Sequence, residues 1–300
     1  MIAAASERSD FAVRSEDLLR LRRYVVPRAA GRWHPDQRPA GIPGKRRGPG
    51  VETVDVRVFA EGDDIRHIDR NVTARTGIPH VRAFREERGA TVLLLADFRL
   101  AMRWGTRRVP RSVAAAEALA LGAWRATEAG GRVGLYAFGM GPALYLPPRG
   151  RVTGMAAVAG GLAAAHATHL GADATGAGET LAEALEAADR LAPTGATLVL
   201  ATALDDEGPA FAALAGTLGR AGRLKLLLVR DAFETAPRPG TYPFAGPDGR
   251  RHWGRVAAIP EGDTRLDHLA RLGVPTLVIA AEAGAEAMAR AWDWFDGPGR

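Results

Sequence analysis

The residues of this chain with the greatest chemical potential are carboxylates. Asp63, Asp64 and Asp69 crowd into the stretch EGDDIRHIDR, and Asp97 closes the apolar run TVLLLA. Three clustered carboxylates would suit hydrolysis by acid–base catalysis, provided they converged in a pocket that shifted their pKa values. Asp97 suggests something different. A carboxylate at the carboxyl end of a buried parallel strand stands where open α/β sheets receive ligands. Other chemistry is thinly represented. The four serines are Ser6, Ser9, Ser15 and Ser112, and none lies in a G-x-S-x-G turn. His166 and His169 are three apart on a helical pattern, without an H-E-x-x-H context, and are expected to be a surface pair near a helix end. Residues 41–46 glance at a phosphate loop but fail it. Pro39 replaces the first glycine, and Arg46 replaces the hydroxyl that would hold magnesium. No G-x-G-x-x-G follows a strand, so no dinucleotide site and no cofactor are expected. The absence of cysteine excludes disulfides, thiolate nucleophiles and Cys-ligated zinc.

The elements that must position these groups alternate in type. Ser15 caps a short helix with Glu16 and Asp17 in its first turn. Residues 27–50 hold ten Gly or Pro in twenty-four positions and read as an extended arm without a core. Residues 51–59 alternate as a strand. EGDDIRHIDRNVTART then reads as a turn and helix capped by Asp63 or Asp64, with Asp69 pairing with Arg66 or a more distant arginine. Strands follow at 81–84, 91–96, 132–138, 143–146, 197–201, 224–229 and 276–280. Helices are expected near 109–129, 151–165, 180–190, 209–220, 264–272 and 282–292, with Pro209 at a first helical position. A hairpin is expected around residues 247–249. This alternation implies a mainly parallel sheet with helices on both faces.

Composition narrows the class further. The chain has 300 residues, 47% hydrophobic and 25% charged, enough for one large core with a small appendage. No apolar run approaches a membrane span, and the first residues lack the apolar core of a secretory signal, so a cytoplasmic protein is expected. The net charge of +6 is carried entirely by residues 1–50, with eleven Arg/Lys against five Asp/Glu; residues 51–300 are balanced at 29 each. Nucleic-acid binding by the main domain is therefore not expected, and the arm's charge reads first as a docking surface. Residues 1–26 are expected to be more dispensable than Arg46 and Arg47.

The stretch RRGPGVETVDVRVFAEGDDIRHIDRNVTARTG resembles the signature of the bacterial "domain of unknown function 58" family, R-R-G-x-G-x-E, then G-D-D-x-R-x-I-D-W and A-R-T-G. Arg46, Arg47, Gly48, Gly50, Glu52, Gly62, Asp63, Asp64, Arg66, Ile68, Asp69 and residues 74–77, Arg75 among them, carry the likeness. Arg70 departs from it, standing where the family has tryptophan. The resemblance implies a von Willebrand factor A-like, Rossmann-like α/β fold. It also implies a non-enzymatic protein-interaction module that serves as adaptor or co-factor of a MoxR-type AAA+ ATPase, recognised through Arg46, Arg47, Asp63, Asp64, Arg66, Asp69 and Arg75.

A-type domains hold Mg²⁺ with D-x-S-x-S on the first strand, a threonine on a second loop and an aspartate on a third. The matching positions here are Asp97, Arg99, Ala101, Thr180 and Ala203, with Thr202 beside the last. One hydroxyl is lost, another becomes a cation, and the third-loop carboxylate is missing. Mg²⁺ demands oxygen ligands in near-octahedral geometry. The resemblance thus implies a degenerate, metal-free site in which Arg99 pairs with Asp97. Two alternatives are a metal site rebuilt from Asp205 or Asp206, and a hydrolase using the Asp63, Asp64 and Asp69 carboxylates.

Overall fold

The structure is a computed structural model, and it describes residues 11–25, 53–60, 68–84, 90–172, 178–245, 250–256 and 263–295. The chain forms two compact units, one of residues 1–36 with 89–300 and one of residues 37–88.

In the larger unit, a sheet of six described strands runs in the order β10-β7-β6-β3-β4-β5. The strands are β3 (Thr91–Phe98), β4 (Arg132–Gly139), β5 (Leu144–Gly150), β6 (Thr197–Thr202), β7 (Leu224–Arg230) and β10 (Thr276–Ala280). All neighbours pair in parallel except β4 and β5, which form an antiparallel hairpin. Strand β3 is buried on both sides, and its side chains alternate between two cores. Val92, Leu94, Ala96 and Phe98 join one core with α3 (Arg111–Glu128), α4 (Arg151–Gly171) and α9 (Ala285–Phe295). Leu93 and Leu95 join the other with α5 (Leu181–Leu191), α6 (Phe211–Arg220) and α8 (Thr264–Arg271). The α/β architecture expected from the alternation of elements is therefore present, with helices on both faces of a mainly parallel sheet.

Helix α3 is buried almost all round, as its alanine-rich sequence permits. Trp292 of α9 lies against it and donates from Nε1 to the Ala118 carbonyl at 2.9 Å. A Cβ on Gly122 would come within 2.7 Å of that indole, so only glycine admits this approach.

Several expected boundaries move. Helix α1 (Ser15–Arg20) has Arg14 as its N-cap, with no side-chain cap; the chain is already helical at Ser15, so its hydroxyl does not cap. Residues 1–26 were expected to be more dispensable than Arg46 and Arg47, yet their described part, residues 11–25, is packed into the larger unit. Val13, Leu18, Leu21 and Val25 are buried in the first core, and Trp124 Nε1 donates to the Leu18 carbonyl at 3.1 Å. Helix α6 starts at Phe211 with Ala210 as N-cap, so Pro209 lies in the preceding turn rather than at the first helical position.

The smaller unit pairs β1 (Thr53–Val58) antiparallel with β2 (His80–Phe84). Its helix, α2 (Arg70–Thr76), is capped by Asp69, whose Oδ1 accepts from Asn71 N at 3.0 Å and Val72 N at 3.1 Å. Asp63 and Asp64, the expected caps, and Arg66 lie outside the described residues, and the described helix begins at Arg70 with Asp69 as its cap. The reason is non-local. Ile68 bridges Val81, and Asp69 N donates to the His80 carbonyl at 2.8 Å, which keeps the chain extended through residue 69. Gly77, at φ 73°, closes α2 in the left-handed conformation that favours glycine.

Candidate functional site: an arginine-filled crevice at the sheet switch point

Strand order fixes where a site can form. From β3 the chain moves one way to β4 and β5, then crosses back to place β6 on the other side of β3. Such a reversal opens a crevice at the carboxyl ends of the two central strands. Asp97 lies near the end of β3 and Thr202 ends β6. Both are buried, at 1% and 0% exposure.

An arginine fills this crevice. Arg99 Nε donates to Asp97 Oδ1 at 3.0 Å and Arg99 Nη2 to Asp97 Oδ2 at 2.9 Å, a bidentate fork. The Arg99 backbone N–H also donates to Oδ1 at 3.0 Å, and Thr202 Oγ1 donates to Oδ2 at 2.7 Å. Each carboxylate oxygen thus has two donors among the described residues. The rest of the guanidinium is turned to the β6–α6 loop: Nη1 donates to the Asp206 carbonyl at 3.0 Å and Nη2 to the Asp205 carbonyl at 2.7 Å. That loop holds Leu204 at φ 63° and Asp206 at φ 48°, both in the left-handed region. Non-glycine residues rarely stay there unless their surroundings hold them. The guanidinium also lies 5.8 Å from the centre of the Phe138 ring.

These residues do not fit a bound Mg²⁺. The one carboxylate of the crevice is saturated by N–H and O–H donors, and the cationic place is taken by a fixed guanidinium. Ala101 offers no hydroxyl, and its carbonyl accepts from Arg111 Nη1 at 2.9 Å. Thr180 serves α5 instead. Its hydroxyl donates to Glu183 Oε2 at 2.8 Å and accepts from Glu183 N at 3.3 Å, a reciprocal capping box. Ala203 is buried, and its carbonyl accepts from Arg265 Nη1 at 3.0 Å. Asp205 approaches Arg111 at 3.8 Å with its side chain half exposed, while Asp206 is exposed. Among the described residues no group of three or more His, Asp or Glu side chains could hold a metal ion.

Two further arginines tie the surrounding loops. Arg111 pairs with Glu234 and lies 4.0 Å from the centre of the Trp104 ring. Arg265 reaches Glu234 at 2.9 Å and forks onto Asp263, from Nε to Oδ1 and Nη2 to Oδ2, both at 2.9 Å. Arg230 donates to Asp263 at 3.0 Å. The hydrogen bonds from Arg265, with a smaller one from Arg230, hold the Asp263 carboxyl down at about 2 against the opposing effect of burial. Asp231, directly after β7, accepts from Thr106 N at 2.8 Å and caps the short helix α7 (Ala232–Thr235) through Phe233 N at 2.8 Å. Tyr136 donates to Glu179 at 3.1 Å; burial and then the Glu179 charge push its hydroxyl up to about 12.

Of these residues the sequence singled out Asp97, Arg99, Ala101, Thr180, Ala203, Asp205 and Asp206. It missed Arg111, Asp231, Glu234, Asp263 and Arg265. One signal was available: Asp231 follows an apolar strand just as Asp97 does. Arg75 is exposed in the last turn of α2. Arg46, Arg47, Asp63, Asp64 and Arg66 lie outside the described residues.

The expectation for His166 and His169 is overturned, since both are buried, at 3% and 1% exposure. His166 Nε2 pairs with Ser112 Oγ at 3.0 Å, and its ring meets Phe98 edge-on. Burial, with His169 and Arg103 nearby, pushes it down to about 4. His169 Nδ1 accepts from Gly141 N at 2.9 Å, so the neutral ring carries its proton on Nε2. These are packed core histidines between α3, α4 and the β4–β5 turn.

A model of the family described as protein of unknown function DUF58 matches residues 55–250. The chain belongs to that family. Uncharacterized proteins of Mycobacterium tuberculosis and Mycobacterium bovis are each 41% identical to this DUF58 member over 59 residues, 20% of this chain and 19% of the relative. The match therefore spans about a fifth of those curated relatives. Among solved structures, an aerotolerance-related membrane protein of Bacteroides fragilis, carrying multiple mutations to serine, is similar at 14% identity. It covers 69% of this chain and 98% of its own, with a TM-score of 0.44. A membrane-spanning protein of Vibrio fischeri is similar at 18% identity over 69% and 97%, with a TM-score of 0.24. Likenesses that distant transfer nothing further to this DUF58 member. Among its described residues no helix is long and apolar enough to cross a membrane.

Proposed function

We propose that this chain is a non-enzymatic protein-interaction module of A-type character, working in the cytoplasm as adaptor or co-factor of a MoxR-type AAA+ ATPase. One observation carries the non-enzymatic part of the reading: the crevice at the switch point is filled by Arg99. A carboxylate with every acceptor position committed has no capacity to hold a metal, activate water or take a proton from a substrate. The surrounding ion pairs join the loops after β3, β6 and β7 to the start of α8, which suits a rigid recognition surface better than an opening active site. The ATPase as partner rests on the signature resemblance, and Arg46, Arg47, Asp63, Asp64, Arg66 and Arg75 are the proposed contacts.

The test is direct binding of the full chain to a purified MoxR-type ATPase from the same organism, with ATP, with ADP and without nucleotide. Binding that depends on nucleotide and weakens in the Arg46→Ala, Arg47→Ala double variant is expected. Absence of binding in every nucleotide state would overturn the ATPase assignment. Turnover of phosphate-ester or peptide substrates that is lost in Asp97→Asn would overturn the non-enzymatic one.

A further inference from the structure

The hairpin of β8 (Gly240–Ala245) and β9 (Arg251–Val256) has no role in the site above. The two strands pair antiparallel with each other and join no other described strand. A two-stranded ribbon is marginal by itself, so its side chains must be held by something. The register, with Tyr242 opposite Gly254, Pro243 opposite Trp253 and Phe244 opposite His252, sorts those side chains onto two faces.

One face meets the body. The Tyr242 ring packs edge-on against Phe233 of α7 at 4.9 Å, and the Tyr242 hydroxyl donates to the Arg238 carbonyl at 2.9 Å. Further out on that face, Phe244 stacks on His252 at 5.4 Å yet remains 52% exposed. The opposite face presents Arg251, Trp253 and Arg255 at alternate positions, about 7 Å apart. Both arginines are exposed, and Trp253 is 66% exposed. Residues 238–256 carry four arginines against one aspartate, whereas residues 51–300 as a whole balance to zero. Two large rings are thus offered on opposite faces of the outer part of one ribbon, within a local concentration of positive charge.

We infer that this hairpin is a membrane-contact element that inserts Phe244 and Trp253 into the interface of an anionic lipid bilayer, with Arg251 and Arg255 against the headgroups. A flat protein partner covers one face of a ribbon and leaves the other ring in water. A lipid interface surrounds the outer part of the two strands and accepts both rings. Tryptophan prefers the headgroup level, and clustered arginines are drawn to anionic leaflets. A nucleic-acid strand stacking on Trp253 would use one face and leave Phe244 unexplained. The contact is peripheral and needs no spanning helix. It stands independently of the ATPase reading.

The test is sedimentation of the full chain with vesicles of phosphatidylcholine alone and with about one third phosphatidylglycerol, a strongly anionic surface. Binding to the anionic vesicles is expected, at least about tenfold tighter than to neutral ones and weakening with salt. The double variants Phe244→Ala with Trp253→Ala, and Arg251→Ala with Arg255→Ala, should each reduce it about tenfold. Both change exposed side chains, so thermal melting should match the parent protein. Quenching of tryptophan fluorescence by brominated lipid should fall in Trp253→Phe. Absence of sedimentation with anionic vesicles, or sedimentation unaffected by both double variants, overturns the proposal. Binding of a single-stranded oligonucleotide through the same residues, without vesicle binding, overturns it in favour of nucleic acid.

Discussion

Arg99→Ala is the perturbation with the largest consequence. Asp97 is 1% exposed, and two of its four donors come from the Arg99 side chain. The substitution leaves the backbone N–H of residue 99 and the Thr202 hydroxyl on a buried carboxylate whose countercharge has gone. It also removes the donors from the Asp205 and Asp206 carbonyls, in a loop whose left-handed residues need that support. Breaking a buried ion pair from one side costs about 3–5 kcal/mol. In a unit of this size about 1 kcal/mol moves the melting temperature by roughly 2–4 °C, so a fall of about 6–20 °C is expected. Removing both charges should cost less than the two single losses combined, because the uncompensated carboxylate goes too. A coupling of about 1–3 kcal/mol is therefore expected in the cycle with Asp97→Ala and the double variant. The assay is thermal and urea unfolding of the four proteins side by side. If Arg99→Ala melts within about 1 °C of the parent, or if the cycle shows no coupling, the reasoning that Arg99 locks the crevice fails.

Three further outcomes are expected. Replacing Arg99 and Ala101 by Ser and Ala203 by Asp should give a stoichiometric Mg²⁺ site by calorimetry where the parent shows none; micromolar binding by the parent would refute the filled-crevice reading. His166, held near 4 by burial, stays neutral in the fold but takes a proton near 6.5 when unfolded. Its contribution is therefore fully present above pH 6.5 and is lost as pH falls from 6.5 towards 4, about 3 kcal/mol in all; His166→Asn should flatten that part of the stability–pH curve, and an unchanged slope would refute it. Leu18→Ala should cost about 2–5 kcal/mol in urea unfolding, because Leu18 is 2% exposed in the first core; melting like the parent would restore the view of the N-terminal segment as dispensable.

What the sequence revealed and what it hid divide along chain separation. Apolar runs marked β3, β6, β7 and β10, and the helical pattern from Thr180 marked α5, because each signal lies within a few residues. The Asp97–Arg99 pair was legible for the same reason, with a single residue between donor and acceptor. The sequence pointed to Asp63 or Asp64 as a cap, whereas Asp69 caps α2 because Ile68 bridges Val81 across a strand pair. His166 and His169 looked solvent-facing because a three-residue spacing defines a helix face but not what covers it. Ser112, Phe98 and Gly141 cover it, all distant in sequence.

The same separation explains why the crevice is more rigid than its sequence suggested. Thr202 reaches Asp97 across 105 positions and Arg265 reaches the Ala203 carbonyl across 62. Arg111 joins α3 to α7 through Glu234. Each contact ties a different loop to the same end of the sheet. A metal ion at such a place can exchange a ligand for an incoming carboxylate. A guanidinium held by a bidentate fork and two carbonyls cannot, since four of its five N–H donors are committed inside the fold. Exchangeable recognition at the switch point is thereby traded for a fixed surface. Any partner must then be met by groups outside the crevice, and mutation of the crevice should act on stability first and on binding only through it.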